Sequence, residues 1–321
     1  RFFITQNSLP GPQGKVYTNG WMHAFDILGL MPAARSHARE GGSRPGRRRP
    51  GSLAGYAAVL AVSLMAALVA GFTPLGHQVD NDVYDWMFRL SRPAPGEFEC
   101  ALLEIDESTF TGLGGVRAIR SILAGALERL PAVSPGPVLV DLTLADPGDP
   151  AEDARLEAAM RRIPKLVLAT EMTSDGRSWQ DPLPRFRRSA AAVGHVHAAQ
   201  DELDGINRRV PLEKVAGRER RWAMSLEAYR LSRGGQIVES PDDLRAGAIV
   251  VPARRENGRA IYLRRLPSRP DGSTAVPRVT VRQLVSDASI ARSLAGRVVL
   301  IGVTAQSAAR DRLMTPYSSE Q

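Results

Sequence analysis

The stretch LAGYAAVLAVSLMAALVAGFTPL, residues 53–75, contains no charged side chain and separates the chain into two parts of different character. Its polar side chains are Tyr56, Ser63 and Thr73. About 20 apolar residues suffice for a helix to cross a bilayer, and such a helix satisfies its own backbone hydrogen bonds in lipid. The stretch therefore predicts a transmembrane helix over residues 53–75.

A cleaved signal peptide is the alternative interpretation of this stretch, because Val69, Ala70 and Gly71 form an acceptable cleavage site. The apolar region of a signal peptide is about 7–15 residues long and lies near the N-terminus. The run in this chain is longer and begins only after residue 52. A retained span is therefore the favoured interpretation.

The N-terminal flank of the span is strongly basic, and Glu40 is the single acid among residues 35–52. Short arginine-rich flanks stay in the cytoplasm. We therefore expect residues 1–52 to be a basic, largely disordered cytoplasmic tail at the inner membrane. Residues 76–321 would then form a periplasmic or extracellular domain. The arginines of the flank are Arg35, Arg39, Arg44, Arg47, Arg48 and Arg49.

The formal net charge of the chain, +8, lies mainly in that tail. Residues 1–52 carry a net charge of +6, and residues 76–321 carry one of +2. The tail is suited to contact anionic lipid headgroups. The outer domain lacks the excess of basic residues that nucleic-acid binding requires. The charge distribution therefore favours the membrane as a partner and excludes nucleic acid.

Cys100 is the single cysteine of the chain, so an intramolecular disulfide is excluded. An extracytoplasmic domain without disulfides must be stabilised by its apolar core. We expect Cys100 to be a small packed residue, with a redox-sensing thiol as the less favoured alternative.

The residues after the span predict an amphipathic helix over residues 79–91, with Asp80 or Asn81 as its N-cap. Apolar side chains recur at helical spacing, and acids and Arg89 lie between them. Such a helix either links the membrane mechanically to the outer domain or is merely the first packing helix of that domain. The apolar positions are Val79, Val83, Trp86, Met87 and Leu90.

Strand-length apolar runs alternate with helical segments from residue 100 onward. This alternation predicts an α/β fold, with a largely parallel or mixed central sheet and helices on both faces. The turn-type sequence DELDG indicates a hairpin between residues 192–198 and 207–215. The other predicted strands cover residues 100–106, 138–144, 165–170, 248–251, 260–266 and 297–303, and the predicted helices cover residues 116–130, 150–163, 222–234 and 281–286.

His195 and His197 occupy alternate positions of a predicted strand and so point to the same face. With Asp201 or Asp204 as an oxygen ligand, they would form a transition-metal site. The favoured alternative is a pair of histidines on a half-exposed sheet, because a zinc site needs at least three protein ligands. We therefore expect no metal and no cofactor.

Asp106, Glu107 and Asp141 follow predicted strands, so they should meet at one edge of a parallel sheet. Ligands bind at that edge in open α/β folds. Capping of the next helix or turn is the favoured alternative, because Asp is a strong N-cap residue. The sequence lacks the nucleophile elbow, the phosphate loop, the zincin motif and the kinase motifs, and we assign no catalytic residue.

Several stretches, in one order, resemble a known family: YDWMFRL after the span, ALLEIDESTF, VLVDLTL, GHV with DELDGINRRVPL, and GRVVLIGVTAQSAARDRLMTP. Over residues 76–321 the chain resembles the CHASE domain of the second type, a cyclase- and histidine-kinase-associated sensory extracellular domain. The resemblance implies that the matching motif positions are structural or close to a ligand rather than catalytic. They are Asp85, Arg89, Asp106, Asp141, Asp204, Gly205, Arg208, Gly302, Asp311, Thr315 and Pro316.

The resemblance implies the sensor region of a bacterial transmembrane receptor, with no enzymatic activity of its own. The output domain would be an adenylate or guanylate cyclase, a histidine kinase, a Ser/Thr kinase or a diguanylate cyclase, and we expect a homodimer because such outputs work in pairs. The alternative from another class is a membrane-anchored periplasmic hydrolase or metal-binding protein.

The chain departs from the family at two places. GGVRAIR, at residues 114–120, replaces a Trp-Pro-Trp-like stretch. His195 and His197 also stand where the family tends to have other residues, which indicates a different ligand if that rim forms the ligand site.

Overall fold

The computed structural model describes residues 51–90, 98–263, 276–287 and 289–308. The chain divides between Asn81 and Asp82 into an N-terminal and a C-terminal unit. Helix α1 (Gly51–Phe72) lies in the first unit. Its residues Leu53–Phe72 are long and apolar enough to cross a membrane, judged by length and composition.

Helix α2 (Pro74–Leu90) begins directly after a bend at Thr73. Pro74 takes the first helical position, where its missing N–H costs no hydrogen bond. The predicted boundaries are therefore corrected in two respects. The apolar helix ends at Phe72 rather than at residue 75, and the predicted N-caps Asp80 and Asn81 lie inside α2.

The rest of the described chain alternates helices and strands. The helices are α3 (Glu107–Leu113), α4 (Ile119–Arg129), α5 (Pro150–Met160), α6 (Pro184–Arg187), α7 (Met224–Arg233) and α8 (Val281–Ser286). The first strands are β1 (Cys100–Ile105), β2 (Val138–Asp141), β3 (Leu166–Met172), β4 (Trp179–Gln180), β5 (Ala192–His195), β6 (Ala199–Gln200), β7 (Asn207–Pro211) and β8 (Glu213–Ala216). The remaining strands are β9 (Glu219–Trp222), β10 (Ile237–Glu239), β11 (Asp243–Ala246), β12 (Ile249–Pro252), β13 (Ala260–Tyr262), β14 (Arg278–Thr280) and β15 (Val298–Val303).

Among the described residues, seven strands form the central sheet. Six of them are parallel, in the order β14-β1-β15-β2-β3-β5, and β4 pairs antiparallel with the end of β3. The register places Leu103 beside Ile301 and Ile301 beside Val140. Their apolar side chains therefore form a continuous row across the middle of the sheet. This mixed sheet confirms the predicted fold class.

Helices cover both faces of the sheet. Leu103 and Ile105 of β1 belong to a core shared with α4, α5 and α8, whereas Val167 of β3 packs with Met224 of α7 on the opposite face. Gly194 permits the close approach of α7, because a Cβ at this position would lie 2.5 Å from the Cα of Met224. The alternation of side chains along buried strands explains the two separate cores.

Antiparallel strands build the second half of the C-terminal unit. They form the groups β6-β7-β13, β8-β9 and β10-β11-β12. The predicted hairpin is only partly correct, because β5 joins the central sheet and the two residues of β6 alone pair with β7. The strands on either side of Gly258 do not pair with each other, since β12 pairs with β11 and β13 with β7.

Candidate functional site

Arg208 of β7 lies at the centre of a buried cluster of charges, and its side chain is 3% exposed. Its Nε and Nη2 donate to Asp85 Oδ1 and Oδ2 of α2, at 2.9 and 2.7 Å. Its Nη1 and Nη2 donate to Asp204 Oδ1 and Oδ2, at 3.0 and 2.7 Å. Asp201 Oδ2 lies 4.0 Å from Nη1. We call Asp85, Asp201, Asp204 and Arg208 the arginine cluster.

The sequence DELDG shapes the acidic side of this cluster. Gly205 has a φ of 72°, which favours glycine, and its N–H donates to the Asp201 carbonyl at 2.8 Å. The carboxylates of Asp201 and Asp204 accept the N–H groups of Leu203 and Ile206, at 3.0 and 2.9 Å. These hydrogen bonds hold the carboxylate of Asp204 in the position from which it binds Arg208.

Hydrogen bonds within the cluster shift the pKa values of Asp204 and Arg208. The hydrogen bond from Arg208 is the main cause that lowers the pKa of Asp204, and backbone donors add to it. The hydrogen bond to Asp85 is the main cause that raises the pKa of Arg208. Both shifts favour the charged forms of Asp204 and Arg208. Removal of one carboxylate therefore leaves the buried Arg208 charge only partly paired.

Contacts of two tyrosines, one on α2 and one on β13, also hold α2 next to the arginine cluster. Tyr84 donates from its hydroxyl to the Leu263 carbonyl at 3.3 Å, and its ring lies 5.0 Å from that of Tyr262 in β13. The guanidinium of Arg209 lies 4.6 Å from the centre of the Tyr262 ring, within cation–π range. One face of α2 is thus held by both β7 and β13.

The carboxyl edge of the central sheet holds a second set of acids. Asp106 caps α3, because its carboxylate accepts the Thr109 N–H at 2.9 Å. Glu107 accepts the Ser307 hydroxyl at 2.8 Å, and Asp141 ends β2, half-buried. Capping, the favoured sequence interpretation, is what the structure shows for Asp106.

Glu104 and Arg278 were missed by the sequence analysis. Glu104 is buried on β1, where it accepts two hydrogen bonds from Arg278 of the neighbouring strand and one from Thr304 Oγ1 at 3.0 Å. A glutamate inside the apolar run CALLEID was the available signal, because buried acids require a partner. Both oxygens of Glu104 are engaged, which indicates a structural ion pair.

The rings of His195 and His197 lie beside that of Trp179. The ring centres of the two histidines are 5.9 Å apart. The nitrogens of His195, a residue that is 2% exposed, have no hydrogen-bond partner among the described residues. Burial, followed by His197 and Lys214, lowers the pKa of His195 to about 3. His197 Nε2 accepts the Met172 N–H at 2.8 Å.

These histidines do not assemble the metal site considered from the sequence. Asp204 binds Arg208 instead of joining His195 and His197. Within the described ranges, no group of three or more His, Cys, Asp or Glu side chains is placed to hold a metal ion. The metal hypothesis therefore loses the third ligand on which it depended.

The structure thus brings together three of the motif positions carried over from the resemblance, Asp85, Asp204 and Arg208. Arg89 is exposed on α2, and Asp106 and Asp141 lie at the ends of strands in the central sheet. Asp311, Thr315 and Pro316 lie outside the described residues.

Comparison with known proteins gives one family match. The family model of the CHASE2 domain matches residues 58–321. No curated protein and no solved structure matches the chain.

Proposed function

We propose that this chain, which belongs to the CHASE2 family of extracellular sensory domains of signalling receptors, passes a change in its outer domain to α2 through the arginine cluster. The observation that carries the proposal is the buried contact of Arg208 with Asp85. It ties the helix that follows the apolar segment directly to a strand and a turn of the sensory domain.

The proposed topology follows from the apolar helix and its basic flank. Residues 1–52 form a cytoplasmic tail, residues 53–75 contain the span in the inner membrane, and residues 76–321 lie outside. The receptor's output domain is a cyclase, a histidine kinase, a Ser/Thr kinase or a diguanylate cyclase. No catalytic step is assigned to the described residues, since the sensory domain itself is non-catalytic.

The mechanism is a shift between two arrangements of α2. A ligand or physical stimulus that favours one arrangement of the turn around Asp204 changes the free energy of the Arg208–Asp85 contact. The shift cannot exceed the difference in the ligand's binding free energy between the two arrangements. A buried bidentate pair is suited to this role because it has few intermediate geometries.

The alternative of a metal-binding protein or hydrolase has less support. Its proposed ligands, His195 and His197, lack a third acidic or histidine partner among the residues that the structure describes. The burial of His195 indicates a packed ring rather than an accessible nucleophile or base.

The test uses the full-length receptor in its native membrane. Arg208→Lys keeps the charge but not the planar, bidentate geometry, whereas Arg233→Lys alters an exposed pair with Glu99 and is the matched control. We expect Arg208→Lys to change the basal output at least about threefold at equal receptor abundance, and Arg233→Lys to leave it unchanged.

Hydrogen exchange in the full chain supplies the structural readout. We expect Arg208→Lys to speed the amide exchange of residues 82–90, because the contact that holds α2 against β7 is weakened. Faster exchange with unchanged output would show that the contact is structural and would overturn the proposed route. Unchanged exchange and output would overturn it as well.

A further inference from the structure

The face of α2 opposite the arginine cluster is an exposed apolar stripe. It consists of Val83, Trp86, Met87 and Leu90, all exposed, with Trp86 exposed by 62%. Asp85 on the other face is buried by Arg208. The helix is therefore apolar on the side that the described residues of its domain leave uncovered.

The spacing of this stripe is that of a helix–helix seam. Val83, Trp86 and Leu90 follow one another by three and four residues, and Val79 precedes Val83 by four on the same helix. This alternation of three and four residues is the a/d pattern of coiled coils, in which one helix fits between the side chains of another. Exposed apolar patches of this kind mark interaction sites.

We propose that the stripe of Val83, Trp86, Met87 and Leu90 packs against the same stripe of a second copy of this chain, as a parallel pair of helices. An a/d seam is self-complementary when two identical helices lie parallel and in register. The proposed membrane anchor imposes that parallel arrangement on two copies. The inference rests on the anchor but not on the signalling route through Arg208.

A lipid surface fits the stripe less well. Helices that lie on membranes carry basic residues beside their apolar face, which anionic headgroups attract. The exposed charged side chains beside this stripe are the acids Asp80 and Asp82 and the base Arg89. Anionic headgroups would repel the two acids, which outnumber the one base, whereas a second helix would leave all three side chains in water.

Disulfide cross-linking in native membranes tests the pairing. The background is the full chain with Cys100→Ala, which removes the single native cysteine. Each variant then carries one introduced cysteine. Val83→Cys and Trp86→Cys lie in the stripe, while Asp82→Cys and Arg89→Cys are exposed positions beside it. We expect the stripe positions to give at least about fivefold more covalent dimer. Equal yields at the stripe and control positions would overturn the proposal.

A charge substitution supplies an independent measurement. Trp86→Glu should raise the dimer dissociation constant of the detergent-solubilised full chain at least about tenfold, with Arg89→Glu as the control. Because Trp86 is exposed in the single chain, Trp86→Glu should not lower the thermal unfolding temperature. An unchanged dissociation constant, or quenching of Trp86 by brominated lipid instead of dimerisation, would contradict the pairing. Either outcome leaves the Arg208 experiment unaffected.

Discussion

Arg208 donates two hydrogen bonds to Asp85, which precedes it by 123 residues and lies on a different element. Both groups are buried, and Arg208 also binds Asp204, so one guanidinium serves two carboxylates. A buried ion pair adds little stability over an apolar replacement, but the loss of one partner is costly. The contact is therefore best understood as a device that fixes the position of α2.

Loss of Asp85 should destabilise the sensory domain. We expect Asp85→Ala to lower the free energy of unfolding by about 3 kcal/mol, because the Arg208 guanidinium stays buried with half of its partners missing. Urea unfolding of the full chain in detergent measures the loss. Arg233→Ala removes the exposed pair with Glu99 and should cost less than about 1 kcal/mol. Equal losses in the two variants would contradict the role of the buried pair.

The burial of His195 should make the domain sensitive to acid. Its pKa is about 3 in the folded chain against an ordinary 6.5, so protons bind more readily to the unfolded chain. The contribution of the neutral His195 to the free energy of unfolding is therefore fully present above about pH 6.5, and it is lost as the pH is lowered toward 3. One such group costs about 1.4 kcal/mol per pH unit in that range. Burial also lowers the pKa of His197, which acts in the same direction.

A substitution separates this effect from general acid denaturation. The free energy of unfolding should fall between pH 7 and pH 5.5 in both proteins. We expect this fall to be about 1 kcal/mol smaller in His195→Phe than in the wild type. The charged groups that act on the pair are Lys214 and Glu171, and both remain in the variant. His77→Phe changes an exposed histidine of α2 and is the matched control. A pH response reduced equally in both variants would refute the assignment to His195.

Features that depend on residues close in the sequence, such as helix caps and strands, could be predicted from local sequence signals. Asp106 precedes a helix and caps it, and the strands that end near Asp106 and Asp141 lie in a parallel sheet, as the alternation of apolar runs indicated. The pairing of Arg208 with Asp85 could not be predicted from spacing, because the fold decides which of many Asp and Arg residues meet. The start of α2 was misplaced because Asp80 and Asn81 look like N-caps, whereas Pro74 already begins the helix.

Cys100 should react slowly with alkylating reagents. Burial is the main cause that raises the pKa of its thiol to about 11. Relative to the ordinary value of 9.0, this lowers the thiolate fraction near neutral pH by about 100-fold, and the thiolate is the nucleophile. We expect iodoacetamide at pH 7.5 to modify Cys100 at least about tenfold more slowly in the folded chain than in urea. Equal rates would favour a redox-sensing thiol.

Arg259 should be essential for the fold of the segment between β10 and β13. It is 1% exposed, and it donates to the carbonyl groups of Ala253 and Ser240, both at 2.9 Å. Its φ of 51° is unusual for a residue other than glycine, so surrounding contacts must hold the backbone there. The sequence analysis predicted strands over residues 248–251 and 260–266, on either side of Arg259, and missed the buried guanidinium.

Replacement of Arg259 by methionine keeps the bulk of the side chain but leaves these carbonyl groups without their donors. We expect Arg259→Met to lower the free energy of unfolding by about 3–5 kcal/mol, because buried polar groups lose their partners. Limited proteolysis should then cut between residues 239 and 259. Arg254→Met is the matched control, since Arg254 is exposed beside the same loop. A loss below 1 kcal/mol, or equal cleavage in both variants, would show that the guanidinium is not needed to hold this segment.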